Sequence, residues 1–285
     1  MIFFLSKFVK LFSNIELKII SKNSQKYLSD KMSSQTSDFN LIEKGKQNSA
    51  QRAVDENIDH TTKIIGIGSG STIVYAVERL AQRVNQENLD IYCIPSSFQA
   101  KQLLTKYNLK IADLETFTSV MIGIIDVTID GADEVDKDLT CIKGGGGCHL
   151  QEKLIAFCAK KFIVIADFRK NSTKLGQNWS KGIPIEVLPS AYRLVQDRIQ
   201  KLYEGSAVLR EFSGPGRGKA GPVITDNGNF ILDWIFNSNE DNDWKSINQE
   251  IKLIPGVIET GLFIGLAKMA YFGNSDGTVT KISSE

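Results

Sequence analysis

Apolar positions along the chain change their spacing in a way that separates strands from helices. From Lys44 onward, short β-branched runs alternate with segments whose apolar residues recur every three to four positions. Those are the signatures of buried strands and amphipathic helices. A polar helix is predicted over 46–57 and a strand over Lys63–Ile67. TIVYAVERLAQRV at 72–84 then places Ile73, Val77, Leu80 and Val84 on one helical face. A strand at 89–94, a helix at 97–107 and the apolar run Val120–Ile129 follow. Next come a strand near 139–142, a helix from about His149 to Ala159 and a strand at Phe162–Ala166. Strands alternating with helices predict an α/β fold, a mostly parallel sheet covered on both faces. Sites in such sheets lie at the carboxyl ends of the strands.

After about residue 176 the order changes. Ile183–Val187 reads as a strand, 190–203 as a helix and 206–211 as a strand. VITDNGNFILDWIF at 223–236 reads as a hairpin turning on Asp226, Asn227 and Gly228. A helix near 244–252 and a strand near 257–264 complete the set. This β-α-β-β-α-β order predicts a ferredoxin-like α+β lobe, 176–268, inserted in the main domain. Residues 269–285 then return to the larger sheet, so that the main domain comprises 41–175 plus 269–285. The first 40 residues differ in kind. Lys7 and Lys10 interrupt MIFFLSKFVKLF, leaving it too short for a membrane span, and a polar tract follows. The tract holds no clear small-residue cleavage site and no Arg, so 1–40 reads as a mobile extension, most of which a start at Met32 removes.

Composition adds limits. The 285 residues are 42% hydrophobic and 24% charged, which suits a globular protein of one or two domains with a sizeable core. A net charge of +1 gives no global field toward nucleic acid or a membrane. Cys93, Cys141, Cys148 and Cys158 form no CxxC pair and have no His at zinc-finger spacing, so reduced thiols in a cytoplasmic protein are expected.

Candidate chemistry gathers in DGADEVDKDLTCIKGGGGCHLQEK at 130–153. Four successive glycines, Gly144 to Gly147, suit only unusual torsions or the close approach of a ligand. The acids and Lys143 around them can move protons and neutralise developing charge. Asp130 ends a strand, and with Gly131 it reads equally as an ordinary turn. Asp133, Glu134 and Asp136 suit a solvated acidic surface or a divalent metal, although not at EF-hand spacing. Glu152 falls in the first turn of a helix, where it also complements the dipole. Upstream, GIGSGST at 66–72 lacks both the GK[ST] of a P-loop and the last glycine of GxGxxG. It reads evenly as an anion-binding helix start with three hydroxyls or as a plain cap. With only His60 and His149 in the chain, a His-based triad has little to build on. The two glycine loops together suggest an enzyme acting on a small, phosphorylated, hydroxyl-rich substrate.

GIGSGST, DGADEVD, KGGGG followed by QEK, IADFRK, and TDNGNFILD with IPGVIETGLF resemble ribose-5-phosphate isomerase of the A type. The likeness runs in order from about Lys44 to the C-terminus, and AGPVITDNGNFILDW with GLFIGLAKMAYFG resembles the eukaryotic branch. The resemblance implies a Rossmann-like domain with the ferredoxin-like lobe. It also implies interconversion of ribose 5-phosphate and ribulose 5-phosphate, in the non-oxidative pentose phosphate pathway, with no metal and no organic cofactor. By it, Glu152 is the general base, and Ser69, Gly70, Ser71 and Thr72 are a loop around the phosphate. Asp130, Gly131, Ala132 and Asp133 form a second substrate segment and Lys143, Gly144, Gly145 and Gly146 a third, while Lys170 and Lys46 add phosphate-side cations. Ring opening falls to Asp130 or Asp133, and enediolate stabilisation to Lys143 and the glycine amides. A homodimer or homotetramer is expected. Ser69 stands where many members have Thr, and FSGPGRG at 212–218 is longer than the usual connection. Two other classes share such folds: sugar-phosphate-sensing regulators, whose preceding helix-turn-helix has no counterpart here, and coenzyme A transferases with a nucleophilic glutamate.

Overall fold

A computed structural model describes residues 39–116, 123–212, 220–238 and 242–284. The extension read over 1–40, save its last two residues, lies outside them, as do the start of the apolar run at 120–122 and most of the glycine-rich stretch 213–222. From Lys44 on, the described chain forms one compact unit. Its first helix, α1, covers 44–57. Then come β1 (Ile64–Ile67), α2 (Ser71–Glu87), β2 (Tyr92–Pro95), α3 (Phe98–Lys106), β3 (Lys110–Ile111), β4 (Ile125–Asp130), β5 (Glu134–Val135) and β6 (Cys141–Ile142). After them stand α4 (His149–Phe157), β7 (Ala159–Asp167), β8 (Ile183–Val187), α5 (Tyr192–Leu202), β9 (Ser206–Leu209) and β10 (Phe230–Ile235). The chain closes with α6 (Trp244–Lys252), β11 (Val257–Thr260), β12 (Leu262–Phe263), β13 (Ala267–Gly273) and β14 (Val279–Ser283).

The large sheet runs β14-β13-β7-β4-β1-β2-β3, parallel throughout except for the β13–β14 pair. Side chains of a strand alternate between its two faces. In β7, Ile163 and Ile165 therefore join the core under α1, α2 and α3, while Phe162, Val164 and Ala166 join a second core with Ala156 of α4 and Phe263 of β12. The chain grows from β1 outward to β2 and β3, then returns beside β1 as β4 and grows the other way. Between β1 and β4 the direction reverses, and that is where ligands bind in open parallel sheets.

The small sheet, β11-β8-β10-β9, is antiparallel, with α5 and α6 crossing between its strands in the predicted ferredoxin-like order. Val195, Ile199 and Ile251 of the helices pack on Ile185, Leu232 and Trp234 of the strands. The hairpin expected within 223–236 does not form. Its turn exists, because the Thr225 N–H donates to Asn229 O and the Gly228 N–H to Thr225 O, both at 2.9 Å. Only the second arm becomes a strand, β10, and β8 and β9 occupy both of its edges, so the first arm has no edge to pair with. The Val223 N–H donates to Arg210 O instead.

The single strand expected over 257–264 is also corrected. It breaks at Gly261 into β11, which pairs with β8 of the small sheet, and β12, which pairs with β6. Gly261 accepts from the Lys143 N–H at 2.8 Å and donates to Pro184 O at 2.6 Å. A Cβ here stands 2.2 Å from the Lys143 carbonyl oxygen, inside contact distance of backbone that is already hydrogen-bonded. Gly261→Ala is therefore expected to destabilise the fold by about 1–3 kcal/mol, as overpacking does. A denaturation midpoint shifted by less than about 0.5 kcal/mol, the range of neutral surface changes, contradicts this.

Candidate active site

Three adjacent strand ends build the site. Asp130, the last residue of β4, is fully buried, and its Oδ1 accepts from the Ser69 N–H at 3.0 Å and the Gly131 N–H at 2.7 Å. This carboxylate fastens the loop after β1 to the loop after β4. The close approach needs Gly68, where a Cβ falls 1.8 Å from Asp130 Oδ1. Gly70 turns the chain into α2 with φ 104°, a torsion that costs glycine little. No side chain caps α2, so of the two readings left open for GIGSGST the plain cap is the one that fails. Ser69 Oγ instead donates to Ser97 Oγ at 2.6 Å, and the Gly70 N–H donates to Gln99 Oε1 at 2.8 Å. The amides of the first helical turn, which no preceding turn can satisfy, stand beside the hydroxyls of Ser71 and Thr72, the kind of helix start that suits an anion.

Lys143 follows β6 and is 2% exposed. Its Nζ lies 2.8 Å from Asp130 Oδ2 and 3.1 Å from Glu152 Oε2, and it donates to Gly131 O at 2.5 Å. The ring of Phe263 stands 5.2 Å below the ammonium, which suits a cation–π contact. Burial works to lower the Lys143 pKa, but the charges of Asp130 and Glu152 outweigh it, and the group stays protonated. Glu152, in the first turn of α4, is 5% exposed. Burial and then the charge of Asp130 push its carboxyl far above the usual range, against the pull of Lys143. Asp133 is raised too, by burial, although the Gly145 N–H donates to its Oδ2 at 2.6 Å. His149 lies beneath the glycine loop, and burial lowers it to about 3, so the ring is neutral at physiological pH.

Lys143, Glu152, Asp133 and the two glycine loops wall a cavity of about 320 Å³. From the sequence candidates it brings together Ser69, Gly70, Ser71 and Thr72 with Gly131, Ala132 and Asp133. Lys143, Gly144, Gly145, Gly146, Glu152, Lys170 and Lys46 stand on the same wall. Asp130 does not reach it and stands behind Lys143. Lys46 arrives because Gly45 of α1 lies against Gly273 at the end of β13, where a Cβ on Gly45 meets Gly273 O at 2.8 Å. Gln99, Cys148, Asp167 and Arg169 also line the cavity and escaped sequence reasoning as site residues. Asp167 ends β7 and holds Arg169 through a 2.7 Å ion pair. Its signal was the motif ADFRK, from which only Lys170 was taken. Among the described residues no helix is long and apolar enough to cross a membrane.

A buried carboxyl facing a buried ammonium, beside a glycine loop and an anion-ready helix start at the reversal point of a parallel sheet, defines an enzyme of the proton-transfer class with an anionic small-molecule substrate. The family model described as ribose 5-phosphate isomerase A (phosphoriboisomerase A) matches residues 92–277. A ribose-5-phosphate isomerase of Homo sapiens is 54% identical over 230 residues, 81% of this chain and 70% of that protein. One of Candida albicans is 47% identical over 240 residues, 84% of this chain and 96% of that one. The solved ribose 5-phosphate isomerase A of Methanocaldococcus jannaschii superposes with a TM-score of 0.73 at 38% identity, covering 84% of this chain and 97% of its own. A D-ribose-5-phosphate isomerase in complex with phospho-erythronic acid reaches 0.76 at 37% identity, covering 85% and 99%. The chain belongs to the ribose 5-phosphate isomerase A family.

The charge balance around Glu152 can be tested without turnover. Asp130→Asn removes the negative charge that raises Glu152, so the Glu152 pKa is expected to fall. Lys143→Met removes the charge that lowers it, so the pKa is expected to rise further. Carboxyl-carbon NMR titration of labelled Glu152 reads both. Equal values in the two variants contradict this electrostatic account.

Proposed function

We propose that this chain interconverts D-ribose 5-phosphate and D-ribulose 5-phosphate through an enediolate, with Glu152 as the base. The observation that carries the reading is the buried Glu152–Lys143 pair, 3.1 Å apart, in the wall of a cavity also lined by Lys46, Arg169 and Lys170. The phosphate rests on the α2 start, with Ser69, Gly70, Ser71 and Thr72, and on Lys170 and Lys46. That anchoring holds the reacting carbons beside Glu152, converting substrate binding into orientation. Asp133, which stands in the wall, assists ring opening by exchanging a proton with the ring oxygen, and Asp130 acts from behind by holding Lys143. Glu152 then takes the C2 proton of the open aldose. The electron pair of that C–H bond forms the C1–C2 double bond, and negative charge moves onto the C1 oxygen. Lys143 and the glycine-loop amides face that charge. The hydroxyl proton on O2 then passes to O1, which shifts the negative charge to O2, and return of the carbon-bound proton from Glu152 to C1 forms the C2 carbonyl and completes the ketose.

Burial suits Glu152 to this work, because an ordinary glutamate is a weak base toward carbon and a raised pKa brings it nearer to operating pH. The phospho-erythronic acid bound by the relative has a planar carboxylate where an enediolate carries its oxygens, which supports the same placement. The small sheet draws only on residues within 183–260, which supports a separate lobe, read as 176–268 beside a catalytic domain of 41–175 plus 269–285, with β12 and the start of β13 inside those bounds already pairing with the main domain. We also assign the protein to the cytoplasm, as a homodimer or homotetramer that needs no metal or organic cofactor and contacts neither nucleic acid nor membrane.

Glu152→Gln is expected to bind substrate and lose about 10²–10⁴-fold in kcat, the share of a positioned base. A rate near that of the wild type removes Glu152 from this role. Because Glu152 must be unprotonated to act, kcat/KM is expected to fall as pH is lowered, with its limb well above the ordinary carboxyl value of 4.5. Ser71→Ala is expected to raise KM for the phosphorylated sugar more than it lowers kcat. Unchanged activity after chelation is expected, and loss of turnover restored by a divalent ion shows a metal requirement instead.

A further inference from the structure

Arg210 follows β9 in the small lobe, and its backbone is fixed on two sides. Its N–H donates to Ile231 O at 2.8 Å, and its carbonyl accepts from the Val223 N–H at 2.9 Å. The side chain grips Asp233 of β10 as a fork, Nε to Oδ2 at 2.8 Å and Nη2 to Oδ1 at 2.5 Å. With two of its donors used on Asp233, the guanidinium turns Nη1 to the glycine loop. Nη1 donates to Gly144 O at 2.9 Å and to Gly145 O at 3.1 Å. Both side chains of the pair are under one-fifth exposed. A guanidinium can make all four contacts in one plane, which an ammonium cannot.

Holding a carbonyl also holds the amide on the opposite edge of the same trans peptide plane. With Gly144 O drawn to Arg210, the Gly145 N–H is aimed away from it and donates to Asp133 Oδ2 at 2.6 Å. With Gly145 O drawn the same way, the Gly146 N–H lies on the edge of the plane facing away from the guanidinium, and Gly146 lines the cavity. No partner for the Gly146 N–H occurs among the described residues. Glycine peptides have little torsional preference of their own; within the loop the Gly147 N–H donates to Gly144 O at 2.9 Å, whereas among the described residues the Gly145 carbonyl is held from outside the loop, by Arg210.

We propose that Arg210, held by Asp233, is a positioning residue that sets the peptide planes of Gly144–Gly146 so that the Gly146 amide faces the oxygen of the enediolate. The small lobe thereby completes an oxyanion-binding loop that belongs to the parallel-sheet domain. This rests on the isomerase reading above and adds a residue that touches no substrate.

The experiment compares wild type with Arg210→Lys, Arg210→Gln and Asp233→Asn. It measures kcat and KM for ribose 5-phosphate, together with the affinities of 4-phosphoerythronate and of ribitol 5-phosphate. The first ligand carries a planar anion where the enediolate does, and the second carries only the phosphate and hydroxyls. All three variants are expected to lose about ten- to a hundredfold in kcat, the scale of a misplaced catalytic group, while KM moves little. 4-Phosphoerythronate affinity is expected to fall in step with kcat, and ribitol 5-phosphate affinity to stay within about twofold. Arg210→Lys, which keeps the charge and loses the fork, is not expected to rescue. Variants with wild-type kcat overturn the inference, and so do variants that lose both ligands equally. Should the Arg210 variants fail to fold, the near-isosteric Asp233→Asn decides alone. A folded wild type that does not convert ribose 5-phosphate overturns the isomerase reading rather than this inference.

Discussion

One buried ammonium organises this molecule. Lys143 sits between Asp130 and Glu152, over the ring of Phe263, with almost no access to solvent. A charge in such a place is tolerated only when it is paired and its donors are used, since desolvation alone is worth several kcal/mol per ion. Asp130 meets that demand from one strand end and the Gly131 carbonyl from the loop beside it. The same carboxylate holds the amides of Ser69 and Gly131, so the interaction that neutralises Lys143 also fixes the loop between β1 and α2. Glu152 completes the arrangement as a second carboxyl that cannot easily be ionised next to the first. Burial, and after it the charge of the neighbouring Asp130, is what holds the Glu152 carboxyl above its ordinary range.

The tertiary frame keeps this cluster in place from several directions. Lys143 hangs from β6, which is paired on both sides, by β5 and by β12. Its own N–H is bound to Gly261 at the break between β11 and β12, the point at which the chain leaves the small sheet for the main domain. A second link joins the same two parts. Glu186 of β8 is fully buried and its Oε1 accepts from Thr225, Asn227 and Asn229, which stiffens the turn that follows. From that turn Asp226 accepts from the Phe98 N–H at the start of α3, and Asn227 accepts from Gln151, the neighbour of Glu152. The small lobe is thus tied to the helix that carries Glu152 and to the loop that carries the glycines.

Much of the site was legible in the residues because it is local. A strand, a glycine turn and a helix start fall within Ile64–Thr72, and DGAD, KGGGG and Glu152 lie within two dozen positions. Gln99 was missed because it is supplied singly, from the first turn of α3, with no pattern around it, whereas Asp167 and Arg169 share the end of β7 and lay within ADFRK, from which only Lys170 was taken. The hairpin at 223–236 was misread for a related reason. Turn chemistry is local and was right, but which edge a strand finds depends on the strands already there, and β9 had taken it.

The residues by themselves determined the alternation of strands and helices, the ferredoxin-like order of the lobe and the set of groups able to bind an anion and move a proton. Period, turn residues and side-chain chemistry are properties of short stretches, so they can be read from a single chain. Only the folded molecule decided that Asp130 stands behind Lys143 rather than facing the cavity, that Glu152 is held far from its ordinary pKa, and that Arg210 reaches across from the lobe to the glycine carbonyls. Burial and through-space charge depend on neighbours distant in the chain, 66 positions away for Arg210 and Gly144, and no local pattern records them.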